Sequence, residues 1–249
     1  MERITRIRER LKAEGVDVFL VSSPVNRRYL TGFTGSAGTL VVGREMAGLW
    51  TDGRYFLQAG KQLEGSTITL FKSGEPDVPT VQKFLAENLK SGGTIAADGR
   101  VITKAFIDSV KKEIEEAHLA DVKEISFLYE EDLVDQVWKD RPTLDTKPVF
   151  ELGVQYAGKS RHDKLAEIRE AMLKQEADYF LLTSLDDIAW LLNIRANDIK
   201  CSPLLLSYLI ITDYKIILYC NKESIKNITE YLDGISVKVK EYDMIYKDA

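Results

Sequence analysis

An arginine in the stretch "TDGRYF" is the first residue whose type and position suggest chemistry. We predict that Asp52 is the N-cap of a helix, which would put Arg54 at the second helical position. A cation there opposes the positive end of the helix dipole, so helix stability does not explain it. Two explanations stay open. Arg54 forms a salt bridge with an acidic neighbour such as Asp52, or its planar fork is held out for a ligand carboxylate or carbonyl.

A glycine-rich turn, "GFTGSAGT", precedes this arginine. It lacks the lysine of a phosphate-binding loop and the G-x-G-x-x-G spacing of a dinucleotide site. We therefore expect residues 32–38 to let the backbone pass close to another element before a strand near Leu40. A small-molecule site that uses this turn is the alternative.

Few other residues could bind a metal or serve as an acid or base. The two histidines, His118 and His162, lie in charged, helix-like stretches and are expected at the surface. Asp186, Asp187 and Asp198 could form a carboxylate cluster, but such residues more often cap helices and fill turns. We therefore assign no catalytic residue and no metal ligand to this chain.

The composition is that of an ordinary globular protein. Of the 249 residues, 45% are apolar and 29% charged, and the net charge of −5 gives no indication of a nucleic-acid surface. Cys201 and Cys220 form no C-x-x-C pair, which favours a reducing cytoplasm, and Cys201 has no histidine partner in the sequence to make it a nucleophile. Residues 1–20 lack a signal-peptide pattern, and the longest apolar run is too short to cross a membrane.

The chain repeats one α/β unit. Apolar residues at i, i+3 and i+7 predict helices over 2–14 and 160–176, and the strands "VDVFLVS" and "ADYFLLTS" follow them. A constant shift of 161 residues aligns the two halves, pairs Leu20 with Leu181 and keeps the core positions apolar. Two further apolar stretches in each half predict a hairpin. The sequence therefore indicates an internal duplication.

A polar stretch with two prolines, "WKDRPTLDTKP", separates the two repeats. Such a stretch is typical of a linker. We expect a first domain over 1–140, a linker over 141–150 and a second domain over 151–249. Each is predicted to be an α/β domain with a mixed β-sheet flanked by helices.

Three separated stretches resemble the aminopeptidase P branch of the creatinase/prolidase family, peptidase M24: "NRRYLTGFTGSAGTLVV…LWTDGRYFLQA", "EDLVDQVWKDRP" and "DIAWLLNIRANDI…SPLLLSYLII". The resemblance spans the chain. It implies two related creatinase N-terminal-like domains, without the C-terminal pita-bread catalytic domain. The full protein would be an Xaa-Pro aminopeptidase, a metallopeptidase hydrolase that removes N-terminal residues preceding proline, and this chain alone is expected to be inactive.

The resemblance also implies partners and cofactors. Two divalent metals, typically manganese, would bind in the missing catalytic domain. Similar members use the arginine of the "DGRY" motif to contact the bound peptide, so Arg54 is the expected substrate-binding residue. The two domains would restrict the active-site cleft and support a cytoplasmic homodimer, with no nucleic-acid or membrane partner. A stand-alone, non-catalytic binding or oligomerisation module with the same fold is the alternative.

Overall fold

The computed structural model of the protein describes residues 2–90, 92–117, 125–130 and 132–249. The chain forms two compact units, Met1–Arg141 and Pro142–Ala249. Each unit contains its own sheet and helices, which confirms the predicted α/β fold class. Within the described ranges, no helix is both long and apolar enough to span a lipid bilayer.

The described part of the first unit is a six-stranded mixed sheet with helices on both faces. Its strands are β1 (Val18–Val21), β2 (Thr39–Gly43), β3 (Ala47–Thr51), β4 (Thr69–Lys72), β5 (Thr94–Ala97) and β6 (Ser126–Leu128). Its helices are α1 (Glu2–Ala13), α2 (Pro24–Thr31), α3 (Phe56–Gln62), α4 (Val81–Asn88), α5 (Lys104–Ala117) and α6 (Leu133–Val137). The strand order is β4-β3-β2-β1-β5-β6. The β1–β2 and β2–β3 pairs are antiparallel, and the β3–β4, β1–β5 and β5–β6 pairs are parallel.

Two apolar layers sandwich this sheet, because successive side chains of a strand point to opposite faces. On one face, Ile4 and Ile7 of α1 pack in a cluster with Phe19 of β1, as the helical spacing predicts. On the other face, Leu20 and Trp50 pack in a cluster that α4 and α5 complete. Burying side chains on both faces gives the first unit a three-layer core.

The second unit holds a four-stranded sheet and a separate two-stranded ribbon. Its strands are β7 (Phe150–Glu151), β8 (Phe180–Leu182), β9 (Ile194–Arg195), β10 (Tyr208–Ile211), β11 (Ile216–Tyr219) and β12 (Val237–Lys240). Its α-helices are α7 (Val154–Ala157), α8 (Arg161–Lys174), α9 (Leu185–Leu192), α10 (Thr229–Asp233) and α11 (Ile245–Asp248). The order is β12-β11-β10-β8, with β7 paired to β9. The β8–β10 and β10–β11 pairs are antiparallel, and β11–β12 is parallel.

Both hairpins predicted from the sequence are present, as β2–β3 and β10–β11. The stretch "KESIKNITEYL" begins as a 3-10 helix, Lys222–Ile228, and continues into α10. The Ser224 carbonyl accepts the Val149 N–H at 2.8 Å, so it is turned towards a neighbouring segment. That carbonyl would otherwise accept an N–H four residues on, and its diversion favours the tighter helical winding.

Candidate functional site

Arg54 lies in a tight turn between β3 and α3. The Tyr55 N–H donates to the Asp52 carbonyl at 2.9 Å, and Asp52 Oδ1 accepts the Arg54 backbone N–H at 3.1 Å. Helix α3 begins only at Phe56, and Tyr55 at its N-cap makes no side-chain cap. The predicted N-cap role of Asp52 is therefore wrong. An aspartate before glycine readily closes an Asx-turn on its own backbone, and here that turn ends before the helix starts.

The guanidinium of Arg54 forms a bidentate ion pair with the Asp52 carboxylate. Its Nε donates to Oδ1 at 2.9 Å, and its Nη2 donates to Oδ2 at 2.8 Å. These hydrogen bonds raise the pKa of Arg54 and lower the pKa of Asp52, so both groups are charged at neutral pH. Asp52 is thus the salt-bridge partner that the sequence suggested as one alternative for Arg54.

The ion pair leaves part of the Arg54 fork without a protein partner. Its Nη1 group has no acceptor within hydrogen-bond distance in the described part of the chain, and the side chain is 69% exposed. The Tyr55 ring supports the guanidinium, with its centre 5.4 Å from Cζ. Asp52 therefore orients a charged, planar donor group whose outer side faces solvent, a geometry suited to a carboxylate or carbonyl oxygen.

The glycine-rich residues 32–38 form a loop organised by a buried arginine. Arg27 is 1% exposed and donates from Nη2 to the Gly35 carbonyl at 2.7 Å and from Nη1 to the Gly38 carbonyl. The Phe33 ring centre lies 5.5 Å from its Cζ. Burial lowers the pKa of Arg27, because the charged form loses its hydration. The loop carbonyls are thus occupied by the guanidinium of Arg27.

The loop and the arginine turn meet at the end of β3. Gly38 has φ of 154°, and a Cβ at this position would lie 2.7 Å from the Trp50 carbonyl oxygen. This confirms the prediction that the glycines permit a close backbone approach. The Tyr55 hydroxyl lies 2.6 Å from Ser36 Oγ, a hydrogen bond that lowers the pKa of Tyr55. The loop therefore helps to hold the turn that carries the arginine.

A second Asp-Gly-Arg turn follows β5, and the sequence analysis missed it. The Arg100 backbone N–H and Nε both donate to Asp98 Oδ1 at 3.0 Å. Arg100 Nη2 also lies 3.5 Å from Asp135 Oδ2 and 4.0 Å from Asp132 Oδ2. The ion-paired fork is therefore a property of the tripeptide itself. Arg54 differs from Arg100 because Asp52 is its sole acidic partner among the described residues. The second turn could have been found in the sequence, since the tripeptide Asp-Gly-Arg occurs twice, each time after a strand.

The first two family-like stretches are joined by structural contacts. Tyr29 and Trp138 stack with ring centres 4.1 Å apart and planes within 8°. Asn26 Nδ2 donates to Asp132 Oδ2 at 2.7 Å, and Arg141 Nη1 lies 3.1 Å from the same oxygen. Because the Asp132 side chain is fully buried, these donors are needed to satisfy its charge. The stretch "EDLVDQVWKDRP" therefore fastens α6 to α2 within the first unit.

The third stretch also has a structural explanation. Lys164 is 1% exposed, and its Nζ donates to Asn193 Oδ1 at 2.6 Å and to the Trp190 carbonyl at 2.8 Å. Its pKa is lowered, mainly by burial and further by nearby Arg195. Asn193 ends α9 in a left-handed conformation. Lys164 therefore satisfies groups at the C-terminal end of this helix.

The remaining candidates show no catalytic arrangement. His162 is exposed, and His118 lies outside the described residues. Asp198 accepts the backbone N–H groups of Lys147 at 2.7 Å and Leu206 at 3.0 Å, so it acts as a turn residue. Over the described ranges, no group of three or more His, Cys, Asp and Glu side chains is placed to hold a metal ion. The resemblance places its two metals in the missing catalytic domain, outside this chain.

Comparisons with known proteins agree with these motifs. Two family models, both described as the creatinase/prolidase N-terminal domain, match residues 3–128 and 140–249. A protein of Chaetomium globosum named "Probable Xaa-Pro aminopeptidase P" is 38% identical over 99% of this chain and 41% of its own length. A protein of the same name from Coprinopsis cinerea is 36% identical over 98% of this chain and 40% of its own length. The chain therefore spans well under half of the curated relatives that it matches.

A solved structure shares the fold of the whole chain. The crystal structure of X-prolyl aminopeptidase from Caenorhabditis elegans, described as a cytosolic enzyme with a di-nuclear active site, superimposes with a TM-score of 0.83. The identity is 30%, and the match covers 99% of this chain and 43% of that one. The chain therefore belongs to the creatinase/prolidase family, in which it corresponds to an N-terminal portion of an aminopeptidase P with two creatinase N-terminal domains.

Proposed function

We propose that this chain is the non-catalytic N-terminal region of a metal-dependent Xaa-Pro aminopeptidase that removes N-terminal residues preceding proline. Family membership and the relatives' names support this assignment. The described residues bring no metal-ligand set together, so we assign hydrolysis to the part of the longer protein that this chain does not cover. Two divalent ions there, manganese in our proposal, would activate water and polarise the scissile carbonyl.

Within this enzyme, Arg54 contacts the peptide substrate. The observation that carries this proposal is the exposed guanidinium, which Asp52 orients while Nη1 stays without an acceptor among the described residues. A peptide carboxylate or carbonyl matches those donors in charge and geometry. We further propose that the two units narrow the catalytic cleft and support a homodimer in the cytoplasm. The description of the Caenorhabditis elegans relative as cytosolic supports that compartment.

The test is peptide hydrolysis by the longer protein loaded with manganese. Removing a hydrogen bond to a charged partner costs about 1.5–3 kcal/mol, so Arg54→Ala should lower kcat/KM for an Xaa-Pro peptide about 10–150-fold. Arg54→Lys keeps the charge without the fork and should fall between the two. The melting temperature should stay unchanged in both variants, because the exposed ion pair contributes little stability.

Arg44→Ala is the matched control. Arg44 is also an exposed arginine in an ion pair, with its Nη2 3.1 Å from Asp17 Oδ1. Its replacement should leave kcat/KM within about twofold of the wild type. If Arg54→Ala folds normally and retains wild-type kcat/KM, Arg54 does not contact the substrate, although the family assignment would stand.

A further inference from the structure

Three Asp-Gly pairs occur in the chain, at residues 52–53, 98–99 and 233–234. In such a pair, the amide nitrogen of the glycine can attack the aspartate carboxyl carbon and close a succinimide ring. Glycine permits this attack because it has no side chain to obstruct it. Because all three pairs consist of the same two residues, their local structure decides which of them reacts.

The attacking nitrogen differs between the three pairs in its hydrogen bonding. The Gly99 N–H donates to the Tyr129 carbonyl at 3.1 Å, and the Gly234 N–H donates to the Glu230 carbonyl at 3.1 Å. The Gly53 N–H has no acceptor in the described part of the chain. Gly53 can therefore present its nitrogen without first breaking a backbone hydrogen bond, whereas the other two glycines cannot.

The space around the glycine also separates the first two pairs. A Cβ at Gly99 would lie 2.5 Å from the Tyr129 carbonyl oxygen, so this turn is packed against a neighbouring segment. A Cβ at Gly53 would meet nothing closer than Phe56 Cε2, at 3.9 Å. The aspartate side chain of the first pair is 39% exposed, and that of the second pair is 11% exposed. The first turn therefore has room for the ring to close.

We propose that Asp52 is a site of spontaneous isomerisation to isoaspartate. The Gly53 nitrogen forms a bond to Asp52 Cγ and loses its proton, while the bond from Cγ to its hydroxyl oxygen breaks, so that one water leaves. A water molecule then adds to the main-chain carbonyl carbon of Asp52 and breaks its bond to the Gly53 nitrogen. The main chain now continues through Cγ. The reaction consumes no oxidant or reductant, and the mass of the protein is unchanged.

Isomerisation removes the ion pair that orients Arg54. The main chain gains one methylene group, and the former main-chain carboxyl becomes the free carboxylate. It no longer lies where Arg54 Nε and Nη2 bind the Asp52 oxygens at 2.9 and 2.8 Å. The intact ion pair slows the reaction, because the leaving oxygen must be protonated and Arg54 lowers the pKa of Asp52. The reaction needs no substrate, so the proposal does not depend on peptidase activity.

Ageing the folded 249-residue chain for several weeks at neutral pH and body temperature provides the test. Isoaspartate is labelled with an isoaspartyl methyltransferase and S-adenosylmethionine, and is located by peptide mapping with electron-transfer fragmentation. Gly99 and Gly234 react only from a locally opened state, so Asp52 should convert at least about tenfold faster than Asp98 or Asp233. Because Asp233 is itself exposed, it controls for the effect of exposure alone.

Unfolding the chain in urea removes the structural differences, so the three aspartates should then convert at similar rates. Gly53→Ala should suppress conversion at residue 52 without loss of folding, because Gly53 has no positive φ and its Cβ has room. Arg54→Ala should convert faster than the wild type, and a slower rate would count against the proposal. Folded Asp52 that converts no faster than Asp98 and Asp233 would overturn it. A difference between the sites that persists in urea would also overturn it, since neighbouring sequence would then select Asp52.

Discussion

Replacing Arg27 by methionine should destabilise the first unit far more than the same change at its neighbour, Arg28. Both arginines belong to α2, but Arg27 is 1% exposed and Arg28 is exposed. Arg27 Nη2 lies 2.7 Å from the Gly35 carbonyl, and Nη1 donates to the Gly38 carbonyl. The glycine loop therefore depends on one guanidinium that methionine can replace in volume but not in hydrogen bonding.

The magnitude follows from these contacts. A hydrogen bond from a charged donor contributes about 1.5–3 kcal/mol, and two are lost. The loss is partly offset, because burial also penalises the charged guanidinium, as the lowered pKa of Arg27 indicates. We expect the free energy of unfolding to fall by about 2–4 kcal/mol. Arg27→Lys can reach one carbonyl and should lose about half as much.

Urea unfolding followed by tryptophan fluorescence measures this change. A Trp190→Phe background leaves Trp50 and Trp138, which both belong to the first unit. With a slope of about 2 kcal/mol per molar urea, the midpoint should move by about 1–2 M. Arg28→Met should stay within about 0.5 kcal/mol of the background. An Arg27→Met protein as stable as Arg28→Met would refute the assigned role of Arg27.

Two further predictions concern backbone space and thiol chemistry. Gly38→Ala should lower the free energy of unfolding in urea by about 1–3 kcal/mol, because its Cβ would lie 2.7 Å from the Trp50 carbonyl oxygen. Gly60→Ala is the control: its Cβ would have nothing within 4 Å, so this change should be neutral or stabilising. Equal effects would contradict this. Burial raises the pKa of the Cys220 thiol from 9.0 to about 12. Between these pH values the folded protein keeps a proton that the unfolded protein has lost. The free energy of unfolding should therefore fall between pH 9 and 12, by at most about 1.4 kcal/mol per pH unit. Cys220→Ala should remove this contribution to the slope of the unfolding free energy against pH, whereas Cys201→Ala should keep it because Cys201 is exposed. Identical slopes in the two variants would exclude Cys220 as the source.

The sequence predicts the regular elements well where side-chain pattern decides them. The stripe of Ile4, Ile7 and Leu11 predicts α1 because a 3.6-residue period puts these side chains on one face. The short edge strand β4 was not predicted, since its four residues are exposed or half-buried and carry little pattern. Its place in the sheet depends on parallel pairing with β3, which lies outside any local window.

The candidate site was predicted in part, and its errors have physical causes. Arg54 could be singled out by its type, but the role of Asp52 depended on whether Asp-Gly forms a cap or a turn, and both are common. The role of Arg27 could not be predicted, because "NRRY" offers two adjacent arginines and only the packing of α2 decides which one points inwards. Asp132, whose carboxylate lies near Arg100, is distant from it in the sequence, so this ion-pair cluster could not be predicted from the local sequence.

The central position of β1 has a consequence for how the protein is made. β1 ends at Val21, but its partner β5 begins at Thr94. At a synthesis rate of about 5–20 residues per second, the ribosome takes roughly 4–15 s to make the intervening chain. During that interval, the side of β1 that pairs with β5 has no partner strand, because β5 has not yet been made. Those seconds on the ribosome are a period when the strand is open to pairing with another chain, and a holding chaperone would have most to protect.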